Sequence, residues 1–318
     1  MPAYRRHTLN LIVKRLMVFA LVSTGTAAVV ASPAGQPVYD PITQDDVVVD
    51  PAYPPKTVDV SFQSAGLGLF GSVFCAQGKG PHPTLLYARG FPDQLASGDI
   101  LRVLRRAGYN VMSFYYRGTY GFGGTYSMQH SYEDLQAAVA FLRQESSVKT
   151  MGVDPNNIIP YGYSLGGPIA LRLAAEDPDI HAVMLQDPTY LLPIKSLSSV
   201  DRKAFEDDVV SPLVPSASGK QILDEIVDQM GSWDPAHYVD GLSGKHVLLA
   251  WASKGNGIDD QAAHANSLGA LFGPRSKVSA TVFDTDHGFT DKRIALTSDY
   301  LHWLGSLPSP QITAAKVK

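Results

Sequence analysis

The chain has 318 residues and a mass of 34.2 kDa, with 45% hydrophobic and 18% charged residues, which is the composition of a folded protein and excludes a disordered or repetitive one. The formal net charge of −4 and the scattered Lys and Arg residues leave no basic face, so no nucleic-acid partner is expected. A single cysteine, Cys75, excludes an intrachain disulfide, and no Cys and His residues have the spacing of a metal site.

The N-terminal segment has the pattern of a secretory signal peptide. Four Lys and Arg residues precede an apolar run, 16–31, that ends in small residues. The run is short and diluted by Ser, Thr and Gly, which favours cleavage near Ala31 over an uncleaved membrane anchor. We therefore predict a signal peptide over 1–31, a linker or surface strap over 32–56, and an exported protein, periplasmic or secreted, without stable membrane insertion after cleavage.

The remaining chain alternates strand and helix patterns within one domain, 57–306, followed by a tail, 307–318. Two β-type runs at 57–64 and 69–76 predict an antiparallel hairpin. Further strands are predicted at 84–88, 110–116, 157–163, 180–185, 246–252 and 278–283, and helices at 94–107, 131–143, 165–175, 260–272 and 289–304. Ser131 and Asp134 form a candidate capping box for the second helix. Because parallel strands need crossover helices, this α/β pattern predicts a mostly parallel sheet with helices on both faces.

The segment 190–240 is too long for a simple crossover between two strands. It contains two helical patterns separated by a cluster of turn residues. Long insertions of this kind within compact domains are usually functional. We predict a small helical cap over the active site, and the alternative is a structural excursion remote from the chemistry.

The strongest motif is Gly162-Tyr163-Ser164-Leu165-Gly166. It lies where a predicted strand turns directly into a predicted helix, and a nucleophile on such a tight turn needs very small side chains two residues before and after it. The helix N-terminus also places positive partial charge near the oxygen that becomes anionic during acyl transfer. The motif predicts Ser164 as a catalytic nucleophile.

A serine nucleophile needs a histidine to accept its proton and an acid to orient that histidine. His287 follows the last predicted strand, in a loop that opens on the same edge of the sheet as Ser164, and it is the predicted base. Asp259 and Asp260 follow the preceding strand and are the favoured acids, although either can instead cap the next helix. Asp187, in a Gln-Asp-Pro turn, is the third candidate.

The oxyanion hole requires backbone N–H groups aimed at the developing charge. Leu165, directly after the nucleophile, is expected to supply one. Phe91, in the loop after the first parallel strand, is expected to supply the other, because the following Pro92 has no N–H.

Two glycine-rich runs do not predict a cofactor. The run Gly66-Leu67-Gly68-Leu69-Phe70-Gly71 has dinucleotide-binding spacing but leads into a strand, where that motif requires a helix. The run 118–124 lacks the ending of a phosphate loop, and its glycines and aromatic residues favour a loop at the pocket rim.

These motifs together resemble the α/β-hydrolase superfamily, and within it the prolyl-oligopeptidase-like and dienelactone-hydrolase-like branch. The resemblance covers about Val58 to Leu304 and depends on the Ser164 motif and on four further runs: Arg89-Gly90-Phe91-Pro92, Tyr116-Arg117-Gly118 with Gly121-Phe122-Gly123-Gly124, Glu133-Asp134, and Asp286-His287-Gly288-Phe289. It implies the α/β-hydrolase fold and hydrolysis of esters or peptide-like bonds through a covalent acyl-enzyme, without a cofactor. Two positions depart from the family pattern: Arg89 replaces a common histidine, and the usual acid position falls near Asn256.

The first functional hypothesis is therefore an exported serine hydrolase of carboxylesterase type, acting on a small-molecule ester. A small exported peptidase with a short peptide substrate is the second hypothesis. A non-catalytic ligand- or partner-binding protein of the same fold is the alternative from another class.

Overall fold

The computed structural model describes residues 39–46, 51–91, 98–208, 213–255 and 261–308. Contacts divide the chain into Met1–Tyr39 and Asp40–Lys318, and the sheet and its helices belong to the second unit. The predicted signal peptide and most of the C-terminal tail lie outside the described residues. Within the described ranges, no helix combines the length and the apolar character that crossing a membrane requires.

The strands of the described residues form one eight-stranded, mostly parallel sheet. Their bounds are β1 Lys56–Ser64, β2 Leu67–Cys75, β3 His82–Ala88, β4 Asn110–Phe114, β5 Val153–Tyr163, β6 Ala182–Gln186, β7 His246–Lys254 and β8 Lys277–Asp286. The spatial order is β1-β2-β4-β3-β5-β6-β7-β8. Strand β2 is antiparallel to both β1 and β4, and the other neighbouring pairs are parallel. The prediction of a mostly parallel sheet led by a hairpin is confirmed.

Helices cover both faces of this sheet. Their bounds are α1 Gly98–Arg106, α2 Met128–Leu142, α3 Glu145–Met151, α4 Gly166–Glu176, α5 Ser199–Asp208, α6 Gly219–Asp228, α7 Met230–Trp233, α8 Gln261–Phe272 and α9 Arg293–Ser306, with short 3₁₀ turns at Leu192–Ser196 and Pro235–Tyr238. Successive strand residues point to opposite faces, so Leu86 packs on the face of α2 and α4 while Leu85 packs on the face of α1 and α9. The two resulting cores position the carboxyl ends of β3, β5, β6 and β8 at one edge.

The predicted capping box of the second helix is wrong. Helix α2 begins at Met128, and the side chain of Ser127 caps it by accepting a hydrogen bond from the amide of His130. Asp134 is fully buried and instead accepts hydrogen bonds from the Arg117 amide, at 2.9 Å, and from its guanidinium. The long-range pairing with Arg117 determines the position of Asp134, which local spacing could not reveal.

Part of the segment predicted as a linker or strap, 32–56, lies against the domain. The carboxylate of Asp46 pairs with the Arg105 guanidinium on α1, and the Pro41 carbonyl accepts a hydrogen bond from Arg106 at 2.7 Å. Strand β1 begins at Lys56, one residue before the predicted domain start.

Candidate active site

Ser164 lies in the sharp turn between β5 and α4. It has a φ of 53°, a left-handed conformation that non-glycine residues seldom adopt. Its amide donates to the Gln186 carbonyl on β6 at 3.1 Å, and its carbonyl accepts from the amides of Gly167 and Thr189 at 2.9 and 3.0 Å. These three bonds hold the strained backbone in place, as a nucleophile on a fixed turn requires.

The glycines around Ser164 are dictated by close packing. A Cβ atom on Gly162 would lie 2.6 Å from the carbonyl oxygen of Gly166. A Cβ on Gly166 would overlap the backbone carbonyl of Ala88, at the end of β3. Helix α4 therefore begins directly against the strands, which is possible only where these positions carry hydrogen alone.

His287 follows the end of β8 and lies beside the turn that carries Ser164. Its imidazole stacks on the ring of Tyr163, the residue before Ser164, with centroids 4.9 Å apart and an interplanar angle of 26°. The loop turns back at Phe289, which has a φ of 52° and donates its amide to the Asp286 carbonyl at 2.9 Å. This turn brings the predicted base to the carboxyl end of β5.

Asp187, the residue after β6, binds this histidine. Its Oδ2 is 2.5 Å from Nδ1 of His287, and its Oδ1 accepts the amide of Ala252 at 3.0 Å. The carboxylate side chain is only 2% exposed. An ionised carboxylate accepts hydrogen bonds only, so it selects the tautomer with hydrogen on Nδ1 and leaves Nε2 unprotonated, as a general base requires.

The acids that the sequence favours, Asp259 and Asp260, lie outside the described residues. The structure instead places the third candidate, Asp187, on the imidazole. The usable signal in the sequence was its position directly after a buried strand, at the same edge as Ser164. A Gln-Asp-Pro turn has no motif that distinguishes a catalytic acid from an ordinary turn residue.

The two predicted oxyanion donors border Ser164. Leu165 immediately precedes α4, where amide N–H groups have no partner within the helix. On the other side, a Cβ on Gly90 would lie 2.9 Å from the Cβ of Ser164, so the backbone leading to Phe91 contacts this serine. The Phe91 ring packs on Tyr126 with centroids 4.5 Å apart.

Arg89 anchors the loop that carries Phe91. Its guanidinium is buried and donates to the Phe114 carbonyl at 2.8 Å and to the Ser113 hydroxyl at 2.7 Å, at the end of β4. It also lies over the ring of Tyr115, 4.7 Å from the centroid. The arginine that departs from the family pattern thus connects the ends of two neighbouring strands.

The predicted cap segment, 190–240, contacts the glycine-rich loop that follows β4, at the same edge of the sheet as Ser164. Ser216 bridges the glycine-rich loop, donating to the Gly118 carbonyl at 2.8 Å and accepting the Tyr126 amide at 2.9 Å. Glu225 on α6 accepts the first two amides of α2, at 2.8 and 2.9 Å. The segment is therefore attached to the loop whose Tyr126 packs on Phe91.

The single cysteine lies at the opposite edge of the sheet, where the end of β2 pairs with the start of β4. Cys75 is buried, and burial raises the pKa of its thiol, which keeps it protonated and poorly nucleophilic. Among the described side chains, no group of three His, Cys, Asp or Glu residues is arranged to hold a metal ion.

The mostly parallel sheet and the helices on its two faces have the α/β-hydrolase fold, which solved structures share. The α/β hydrolase GrgF from Penicillium sp. sh18 superimposes with a TM-score of 0.56 at 18% identity, over 78% of this chain and 98% of that one. The Pyrococcus furiosus esterase Pf2001 gives 0.57 at 16% identity, over 82% and 94%. The Pyrococcus horikoshii acylaminoacyl peptidase gives 0.59 at 14% identity, over 81% and 43%.

Sequence comparison finds a relative that matches about half of the chain. A relative from Mycobacterium tuberculosis (strain CDC 1551 / Oshkosh), the uncharacterized protein MT2364, is 28% identical over 172 residues, which is 54% of this chain. The match spans 59% of that relative's length. No family model matches the chain.

Proposed function

We propose that the protein is a serine hydrolase that cleaves carboxylic esters through an acyl-enzyme on Ser164. The observation that carries the proposal is the hydrogen bond between Asp187 and Nδ1 of His287, with that imidazole stacked beside the nucleophile turn. A glycine-flanked serine alone could be an ordinary turn residue. A serine with an oriented, acid-bound histidine next to it has the components of acyl transfer.

The chemistry follows from the role of each group. Ser164 Oγ attacks the substrate carbonyl carbon while Nε2 of His287 takes its proton, and the resulting oxyanion accepts hydrogen bonds from the amides of Leu165 and Phe91. The imidazolium then donates that proton to the leaving alkoxide, and the carbon–oxygen bond of the ester breaks. A water molecule, deprotonated by the same Nε2, attacks the acyl-enzyme, and the imidazolium returns the proton to Ser164 Oγ as the bond between Oγ and the acyl carbon breaks and the acid leaves.

The structural neighbours include both an esterase and a peptidase, and their TM-scores of 0.57 and 0.59 do not separate the two reactions. The fold covers 94% of the esterase Pf2001 but only 43% of the acylaminoacyl peptidase, so more than half of that peptidase has no counterpart in the match. The preference for an ester therefore rests on the leaving group: an alkoxide leaves more readily than an unprotonated amide nitrogen, so an ester demands less of the general acid.

Labelling with a fluorophosphonate probe tests the mechanism. We expect stoichiometric modification of the wild type and of Ser298→Ala, a control on the exposed face of α9, and none of Ser164→Ala. An unlabelled wild type, or equal labelling of Ser164→Ala, would contradict the serine mechanism and favour a non-catalytic binding protein.

A substrate panel tests the ester specificity. We expect turnover of p-nitrophenyl esters and little turnover of aminoacyl anilides by the wild type. The reverse preference would replace the esterase by a small peptidase that uses the same residues.

We also propose that the protein is exported by its N-terminal segment. Support comes from the basic residues followed by the apolar run 16–31. N-terminal sequencing of the protein from its native host is expected to begin near Ser32. A membrane-bound form that retains residue 1 would overturn the proposal in favour of an uncleaved anchor.

A further inference from the structure

Tyr163 touches both partners of the proposed proton transfer. It precedes Ser164 directly in the chain, and its ring stacks on His287 at a centroid distance of 4.9 Å. Its hydroxyl donates a hydrogen bond to the backbone carbonyl of His287 at 3.3 Å. The side chain is 6% exposed, so these contacts are made in a largely dry environment.

His287 needs more support than Asp187 alone supplies. The bond from Asp187 fixes one ring atom, Nδ1, and leaves the imidazole able to swing about that contact. The loop that carries His287 follows β8, which among the described strands is at the edge of the sheet and pairs only with β7. Its side chain is 24% exposed, so surrounding packing encloses it incompletely.

The two contacts of Tyr163 remove that freedom. Stacking against one face defines the plane of the imidazole, and the hydroxyl fixes the backbone from which the ring projects. Tyr163 is the last residue of β5, which lies in the middle of the sheet. Its contacts therefore attach the loop of His287, at the edge of the sheet, to a strand held by neighbours on both sides. The nucleophile and its base are then held by one and the same turn.

We propose that Tyr163 is a positioning residue that aligns Nε2 of His287 with Ser164. The inference rests on the proposed serine hydrolase mechanism, and Tyr163 itself exchanges no proton with the substrate. Proton transfer depends steeply on the distance and angle between donor and acceptor, so a loosened imidazole lowers turnover more than substrate binding.

Three variants test the role. Tyr163→Leu removes the stacked ring and the hydroxyl, Tyr163→Phe removes only the hydroxyl, and Tyr109→Leu is a control that removes a partly buried tyrosine ring just before β4, at the opposite edge. We expect Tyr163→Leu to lower kcat by about 10- to 100-fold with KM changed less than about threefold, and Tyr163→Phe to stay within about fivefold of wild type. Tyr109→Leu should lose thermal stability comparably and retain wild-type kcat.

A proton NMR spectrum supplies a readout that is independent of activity. The hydrogen on Nδ1 of His287, in its 2.5 Å bond to Asp187, is expected to give a resolved downfield resonance in the wild type and in Tyr163→Phe. We expect this resonance to broaden or vanish in folded Tyr163→Leu, because the imidazole no longer keeps one orientation.

The outcomes separate this inference from the proposed function. A folded Tyr163→Leu variant with wild-type kcat, or with an unchanged downfield resonance, overturns the role of Tyr163 while the serine mechanism stands. An unlabelled wild type whose resonance still depends on Tyr163 overturns the mechanism and leaves the positioning of His287 intact. If Tyr163→Leu does not fold, Tyr163→Met replaces it with the same expected results.

Discussion

The loops after β5 and β6 share a backbone conformation but differ in their surroundings. Ser164 and Asp187 are both non-glycine residues with positive φ, 53° and 39°, and each donates its amide to the next strand, to Gln186 at 3.1 Å and to Ala250 at 2.7 Å. Such residues cost of order 1–3 kcal/mol each and persist where the surroundings enforce them, often at functional sites.

The two loops differ in the chain that comes directly after each strained residue. Helix α4 begins two residues after Ser164, so the packing leaves space only for hydrogen at Gly162 and Gly166. Asp187 is followed by Pro188 and an irregular segment rather than by the start of a helix, so no pair of glycines is required around it. The same strained conformation therefore leaves a sequence motif in one loop and none in the other.

The largest expected effect tests whether the loop after β6 is catalytic. Asp187→Asn is expected to lower kcat by about 10³- to 10⁴-fold with a small change in KM, since an amide does not enforce the tautomer with hydrogen on Nδ1. Asp259→Ala and Asp260→Ala are expected to stay within about tenfold of wild type. Steady-state kinetics on one p-nitrophenyl ester measures all three, and the opposite ranking would move the acid to the loop before α8.

The second prediction concerns the crowding around Ser164. Gly166→Ala should lower the free energy of unfolding by about 3 kcal/mol or prevent folding, because its Cβ would overlap the backbone of Ala88. Gly269→Ala within α8, where a Cβ meets nothing within 4 Å, should instead stabilise by about 0.5–1 kcal/mol. Urea denaturation measures both, and similar values for the two would contradict the crowding argument.

A third prediction concerns the segment after Asp187. Glu225→Gln should lower the free energy of unfolding by about 1 kcal/mol, because the carboxylate accepts the first two amides of α2, at the positive end of the helix dipole. The matched control is Asp228→Asn, an exposed position on α6, with an expected change below about 0.5 kcal/mol. Equal effects in thermal denaturation would indicate that Glu225 does not anchor the segment.

The smallest expected effect lies outside both loops, at Cys75. Burial raises the pKa of this thiol, so the reactive thiolate is scarce at pH 8 and becomes more abundant as the pH rises toward the shifted pKa. We expect slow modification by a thiol reagent in the folded protein, fast modification in urea, and unchanged esterase activity. Rapid loss of activity at pH 8 would assign the thiol a role in the reaction.

The local sequence pattern predicted much of the fold. In the candidate site it predicted Ser164 and His287 but favoured other acids over Asp187. Alternating apolar runs and helical periodicity predicted the mostly parallel sheet, and the glycines around Ser164 marked the turn because close packing acts on residues two positions away. Local reasoning failed at α2, where Asp134 pairs with Arg117 rather than capping a helix.

The sequence by itself determined the sheet, the Ser164 turn and the loop of His287, since each depends on neighbours within a few positions. Only the tertiary structure decided which carboxylate meets the imidazole, because Asp187 and His287 are 100 residues apart. A triad acid needs a carboxylate at one point in space, with no restriction on the residues beside it. The strand order and the turn of the loop after β8 bring Asp187 and Tyr163 into contact with His287. Neither of these two contacts leaves a recognisable pattern in the sequence.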